Sequence, residues 1–291
     1  MKLKSILGLA LLSVMFISCD DKDDKELVQD EPQLIVKFKF DPNQARLDNV
    51  GQPSTIPVGH AAQTPVFNKI SSHYLEFAPN ATTQIGQGTI LYHGQETAIG
   101  GATAFDFSKA KIVGEGEVFL SIPLKNITPG SYEWARCSLS YQDYNIKVLS
   151  SGIEHNGTLA SFVGKITYIS SFTSGGYTYN VNANNDQGFW AFGLQGFNYS
   201  TSGQTPVGAT TVPNPINSTS PIPANSCVVT GKFGNNLVIT GNETKDIVVT
   251  LSLSINKSFE WTEVTADGKY EPSIGENVVD MGLRGLIPSY D

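Results

Sequence analysis

The 291-residue chain holds little of what usually announces chemistry. It has three cysteines and four histidines. No HExxH, no paired CxxC and no histidine pair spaced i, i+4 on a helix occurs, so none of the common zinc arrangements is written locally. GxSxG is absent and no Ser-His-Asp arrangement can be recognised, which leaves no signature of a serine hydrolase. Basic residues are in the minority, 19 against 27 acidic ones, and they form no patch, which argues against nucleic acid as a partner. No segment repeats at a fixed period, and no long amphipathic helix stands out. Histidine is missing after His155, and charge is missing altogether from Gln187 to Gly231.

What is present begins with an address. Lys2 and Lys4 precede an apolar run from Ile6 to Ile17. The run falls short of the about 20 residues that a permanent span requires, and it suits the central region of a signal peptide. "FISC" then resembles the lipobox of bacterial lipoproteins, which implies cleavage before Cys19 and acylation of that residue. The following "DDKDDKELVQDEP" carries seven acids and two lysines between Asp20 and Glu31, without apolar periodicity, and reads as a solvated tether. Acidic residues directly after the lipid cysteine resemble the surface-export signal of Bacteroidetes lipoproteins. The expected organisation is a signal peptide at 1–18, a lipidated acidic tether at 19–32 and one domain at 33–291. The expected location is the outer membrane, exposed at the cell surface, with the lipid rather than the fold touching the membrane.

The domain reads as strand. "QLIVKFKF" sets Leu34, Val36, Phe38 and Phe40 against Ile35, Lys37 and Lys39. "EVFLSIPL" and "DIVVTLSLSINKSFEW" alternate in the same way, the latter placing Ile247, Val249, Leu251, Leu253 and Ile255 on one face. Period-two alternation means one buried and one wet face, as in antiparallel sheets. About a dozen such segments, separated by signals such as Pro129-Gly130, Asn156-Gly157, Gly175-Gly176 and Asp267-Gly268, predict an all-β fold, an antiparallel β-sandwich with long loops.

The histidines are the first candidates for chemistry. His60 follows Gly59 in a loop, His73 opens the strand-like "SHYLEF", and His93 and His155 sit at expected turns. Neutral imidazole suits copper and zinc. His60, His73 and His93 form a candidate metal site if the His60 loop folds over the ends of the strands carrying the other two. The alternation of "SHYLEF" places His73 with Leu75 and Phe77 on the apolar side and turns Tyr74 and Glu76 outward, which favours a structural histidine at the core edge. Carboxylates such as Glu133, Asp143 and Glu260 alternate with aromatics, but a glycosidase needs two carboxyls facing across a cleft. Asn182, Asn184 and Asp186 miss the spacing of a calcium loop and read as a polar turn. Cys137 and Cys227 lie in strand-like "WARCSLSY" and "NSCVVTGKF". Secretion permits a disulfide between them; the alternative is two thiols acting as small core residues.

The uncharged segment is the second candidate. Phe189, Trp190, Phe192, Phe197 and Tyr199 lead into "STSGQTPVGATTVPNPINSTSPIPANS", too polar and too broken to be core. Trp190 and Phe192 lie opposite Phe189, so both faces of this strand are apolar. It is either a covered central strand or an aromatic platform, formed by Trp190, Phe192, Phe197 and Tyr199, for a glycan or a protein partner.

"LIVKFKF", "HYLEF" and the "PGSY" turn into "EWARCSLSY" together resemble the MbnP-like family of secreted β-sandwich proteins, over residues 33–150. The resemblance implies a sandwich fold and a copper-binding role at the periplasm or surface. Copper ligands of that family include histidines toward the C-terminal half, and this chain has no histidine after His155. The expectation drawn from the whole is a non-catalytic, lipid-anchored binding or accessory module for a protein partner or glycan; the alternative is a copper- or zinc-binding sandwich.

Overall fold

The "LIVKFKF" alternation becomes β1 (Gln33–Asp41), with Leu34, Val36, Phe38 and Phe40 buried. β2 (His60–Gln63), β3 (Val66–Ala78), β4 (Thr89–His93), β5 (Glu96–Thr97), β6 (Ala104–Asp106), β7 (Val118–Pro123) and the long β8 (Gly130–Ser150) follow. Then come β9 (Ile153–Phe162), β10 (Thr167–Ser174), β11 (Tyr177–Asn185), β12 (Phe189–Leu194) and β13 (Tyr199–Gln204). The chain ends with β14 (Cys227–Ile239), β15 (Ile247–Ser254), β16 (Phe259–Thr262), β17 (Val278–Met281) and β18 (Leu286–Tyr290). This computed structural model describes residues 31–47, 52–205 and 227–291 except Gly282 and Arg284. The signal segment, Cys19, most of the tether and the middle of the uncharged stretch lie outside the described residues.

β8 organises the molecule. One of its edges pairs with β3; the other pairs with β14 along its first half and β9 along its second. The seven-stranded sheet runs β13-β12-β9-β8-β3-β4, with β14 on β8. Three smaller sheets pack around it: β18-β15-β1-β7, β11-β10-β6-β5 and β17-β16-β2. Two ladders, β1 with β15 and β6 with β10, are parallel, so the expected antiparallel sandwich is mixed at these places.

The first core cluster joins Leu34, Val36 and Phe38 of β1 and Leu251 and Leu253 of β15 to Leu75, Phe77, Cys137 and Leu139 of the central sheet. The second gathers Phe105, Tyr141, Phe162, Phe172 and Phe189; the third gathers Tyr144, Ile146, Val148, Phe259 and Trp261. Consecutive residues fall into different clusters: Leu159 into the third and Ala160 into the second. The central sheet is therefore covered on both faces at this end. On β8 the pairing with β3 slips by one residue, Leu139 facing Ser72 and Tyr141 facing Ser71. The extra residue, Ser140, reverses the alternation and lets one strand serve clusters on opposite faces. Asn156-Gly157, expected as a turn, lies inside β9. A side chain at Gly157 would come within 2.1 Å of the Phe192 ring, so this glycine makes room for packing.

Candidate functional site

The three candidate metal ligands are not brought together. His60 is on β2, which pairs with β16 and not with the central sheet. Its Nδ1 lies 2.6 Å from Glu260 Oε1, while the Arg46 guanidinium pairs with the other Glu260 oxygen. His93 ends β4 opposite Tyr74, with its ring edge-on to that tyrosine at 6.1 Å. His73 is the extra residue of a bulge between Ser72 and Tyr74. The bulge takes it away from the Leu75 and Phe77 cluster and sets its ring 6.0 Å from Phe105. It is only 2% exposed, and among the described residues neither ring nitrogen meets a partner in hydrogen-bond geometry. Burial pushes its pKa down to about 3; Lys165 and His93 add to this, and the Leu139 carbonyl offsets a little. Among the described residues no three His, Cys, Asp or Glu side chains converge as metal ligands would.

Tyr74 and Glu76, expected to face solvent, are buried. Glu76 lies directly across from Arg136, with Arg136 Nη1 donating to its Oε1 at 3.0 Å. Tyr74 Oη and the Gly86 amide each donate to Oε2 at 2.8 Å. Burial and the adjacent Glu76 carboxylate raise the Tyr74 pKa far above the usual phenol, so the ring stays a neutral donor. The other carboxylates singled out are also engaged: Glu133 with Lys232, and Asp143 with Asn68, Tyr141 and Ser174.

No disulfide joins Cys137 and Cys227. Cys137 faces Val229 and Cys227 faces Leu139, so the two are diagonal across the β8–β14 ladder. Diagonal positions lie roughly 7 Å apart, beyond the about 4 Å between Cβ atoms that a disulfide requires. Cys137 behaves as a core residue; it donates to Ser72 Oγ at 3.2 Å, and burial pushes its thiol up to about 12.

The aromatic run divides in two. Phe189 is buried in the second cluster, and Trp190 and Phe192 pack against the third, so the covered-strand reading holds for β12 and the platform loses two of its four rings. Phe197 and Tyr199 remain 51% and 54% exposed. Phe197 sits on the turn between β12 and β13, where the His155 ring meets it edge-on at 5.1 Å, and Tyr199 opens β13.

This turn is clamped. Tyr177 Oη shares its one proton between the carbonyls of Leu194, at 3.0 Å, and of Phe197, and accepts from the Tyr199 amide at 3.4 Å. The ring of Tyr177 can lie there because residue 193 is glycine; a Cβ at that position would come within 2.4 Å of it. The Gln195 amide donates to the Asn156 carbonyl at 2.9 Å. The Gln195 side chain donates to Asn145 Oδ1 at 3.0 Å and Thr158 Oγ1 at 3.1 Å. Asn145 Nδ2 donates to Asn68 Oδ1 at 3.2 Å, and Asn68 Nδ2 donates to Asp143 Oδ1 at 2.8 Å. A surface turn is thus wired to a buried carboxylate through three amides.

Gln195, Asn145, Asn68, Thr158 and Tyr177 carry no local signal in the sequence. They come from five separate segments, and only the pairing of β3, β8, β9 and β12, with β11 laid across, brings them together. Comparison with protein-family models, with curated proteins and with solved structures gives no match to this chain.

Proposed function

We propose that the chain is a lipid-anchored binding module of the outer membrane, displayed at the cell surface, whose ligand-facing surface is the β12–β13 turn. The observation that carries the reading is the clamped turn with two half-exposed aromatic rings, Phe197 and Tyr199. The neighbouring aromatics of the same run, Phe189, Trp190 and Phe192, are packed against cores, whereas these two rings face outward. A turn braced from its backbone and from Gln195 is already ordered before a ligand arrives, which lowers the entropic cost of binding. The N-terminal apolar run and Cys19 support the anchor.

Two experiments test the two halves of this reading. Cys19→Ser is expected to move the protein out of the membrane fraction and abolish labelling by a radioactive fatty acid; a labelled, membrane-bound variant would remove the anchor. Phe197→Ala combined with Tyr199→Ala is expected to leave the circular dichroism spectrum and melting temperature nearly unchanged. It should abolish capture of surface polysaccharides or solubilised outer-membrane proteins. Equal capture by wild type and double variant would rule out this turn as the binding surface.

A further inference from the structure

We infer that the ligand is a neutral saccharide, stacked on Tyr199 and Phe197 and donating a hydroxyl to the side-chain carbonyl of Gln195. The inference rests on the binding-module reading and specifies its ligand.

The turn and β13 carry no charge of their own. From Gln187 to Gly231 the chain contains no charged side chain, so the turn and β13 present rings, amides and hydroxyls: Gln195, Phe197, Tyr199, Ser200, Ser202 and Gln204. A charged polymer or acidic peptide finds no counter-charge on the turn and β13 themselves. Flat apolar faces beside uncharged hydrogen-bonding groups match the alternating C–H faces and hydroxyl rims of a sugar ring. The Tyr199 hydroxyl forms no hydrogen bond with the described residues and adds a second polar point next to its ring.

The wiring below the turn gives Gln195 a direction. Its Nε2 donates to Asn145 and Thr158, and its Oε1 has no partner among the described residues on this exposed side chain. Donations lead from Gln195 to Asn145, from Asn145 to Asn68 and from Asn68 to Asp143, with one return bond from Asn68 Nδ2 to Asn145 Oδ1 at 3.4 Å. Asp143 is nearly fully buried, and its other oxygen accepts from Ser174 at 2.5 Å and Tyr141 at 3.2 Å. Hydrogen bonds linked in series polarise one another, more so in a low-dielectric interior. Each amide that donates toward the carboxylate becomes a better acceptor at its own oxygen. The end of the series is Gln195 Oε1, which therefore takes a hydroxyl proton better than an isolated surface glutamine would. Asp143, Asn68 and Asn145 act as positioning residues; Gln195, Phe197 and Tyr199 touch the sugar.

The test uses the folded protein from residue 19 onward with Cys19→Ser to keep it in solution. Affinity electrophoresis and calorimetry are run against neutral oligosaccharides, such as maltohexaose, cellohexaose, mannohexaose and xylohexaose, and against polygalacturonate as a charged control. At least one neutral sugar is expected to bind, and polygalacturonate is expected not to. Tyr199→Ala and the near-isosteric Gln195→Leu are each expected to weaken binding roughly tenfold, the equivalent of one lost stacking or hydrogen-bonding contact. Tyr199→Phe should retain most of it. Two outcomes overturn the saccharide: no neutral sugar bound while Phe197 and Tyr199 still govern capture of an outer-membrane protein, or sugar binding indifferent to both Tyr199→Ala and Gln195→Leu. The first leaves the binding module standing with a protein ligand; loss of every Phe197- and Tyr199-dependent capture removes both.

Discussion

Arg136→Ala is expected to lower the free energy of unfolding by about 3 kcal/mol, toward the lower end of the range for breaking a buried ion pair. Arg136 and Glu76 face each other across the β3–β8 ladder, and both are buried. Removing the guanidinium leaves a carboxylate inside the protein with no positive partner from this pair. Glu76 retains two neutral donors, Tyr74 Oη and the Gly86 amide, which soften the loss without cancelling it. The surrounding structure cannot relax easily, because Glu76 lies on the strand whose Leu75 and Phe77 fill the main core. Urea denaturation checks this through a fall in midpoint at constant slope. Pairing Arg136→Met with Glu76→Gln is expected to recover part of the loss, since an unpaired buried charge is worse than no charge. A double variant as unstable as Arg136→Met alone would show that packing volume, not charge, is what position 136 supplies.

The second large effect is a loss of stability in mild acid that traces to one side chain. His73 is folded as a neutral ring, with its pKa pushed down to about 3 by burial, whereas a histidine in the unfolded chain titrates near the ordinary 6.5. The sign follows from which state binds the proton. Above about pH 6.5 both states are neutral at this position and nothing is lost. As pH falls from 6.5 toward 3, the unfolded chain takes up a proton that the folded protein refuses, and stability declines by about 1.4 kcal/mol per pH unit. The accumulated loss near pH 4 is roughly 3 kcal/mol. Urea midpoints measured at pH 7, 5.5, 4.5 and 4 should therefore fall more steeply for the wild type than for His73→Leu and His73→Phe. Carboxylates titrate in all three proteins, so the difference between the curves belongs to His73. Parallel curves would mean that His73 is protonated in the folded protein and finds a partner there.

Both effects involve residues whose role the sequence mispresents, and for the same reason. In "SHYLEF" strict alternation sends Tyr74 and Glu76 to solvent and His73 to the side of Leu75 and Phe77. The structure inserts a bulge at His73 and covers the second face of β3, so a local pattern of period two no longer maps onto inside and outside. The histidine cluster dissolves for a related reason: closeness along the chain became separation, because β2 joined β16 while β3 joined β8. The cysteines show the finer limit. Both lie on strands, as their segments suggest, and those strands are neighbours, yet the register sets the two residues on a diagonal.

By itself the sequence determined the class of the fold and most of its strands. Alternation at "LIVKFKF" and "DIVVTLSLS" is a local property, and one buried face per strand suffices to specify it. It also marked the aromatic run and the charge-free stretch as unusual. Only the tertiary structure decided which rings are core and which are surface. That depends on β12 lying between two clusters while its turn projects beyond them. Only the tertiary structure, too, connected Gln195 to Asp143. A hydrogen-bond series across β3, β8 and the β12–β13 turn is fixed by strand order and register, which arise from long-range pairing that no single segment encodes.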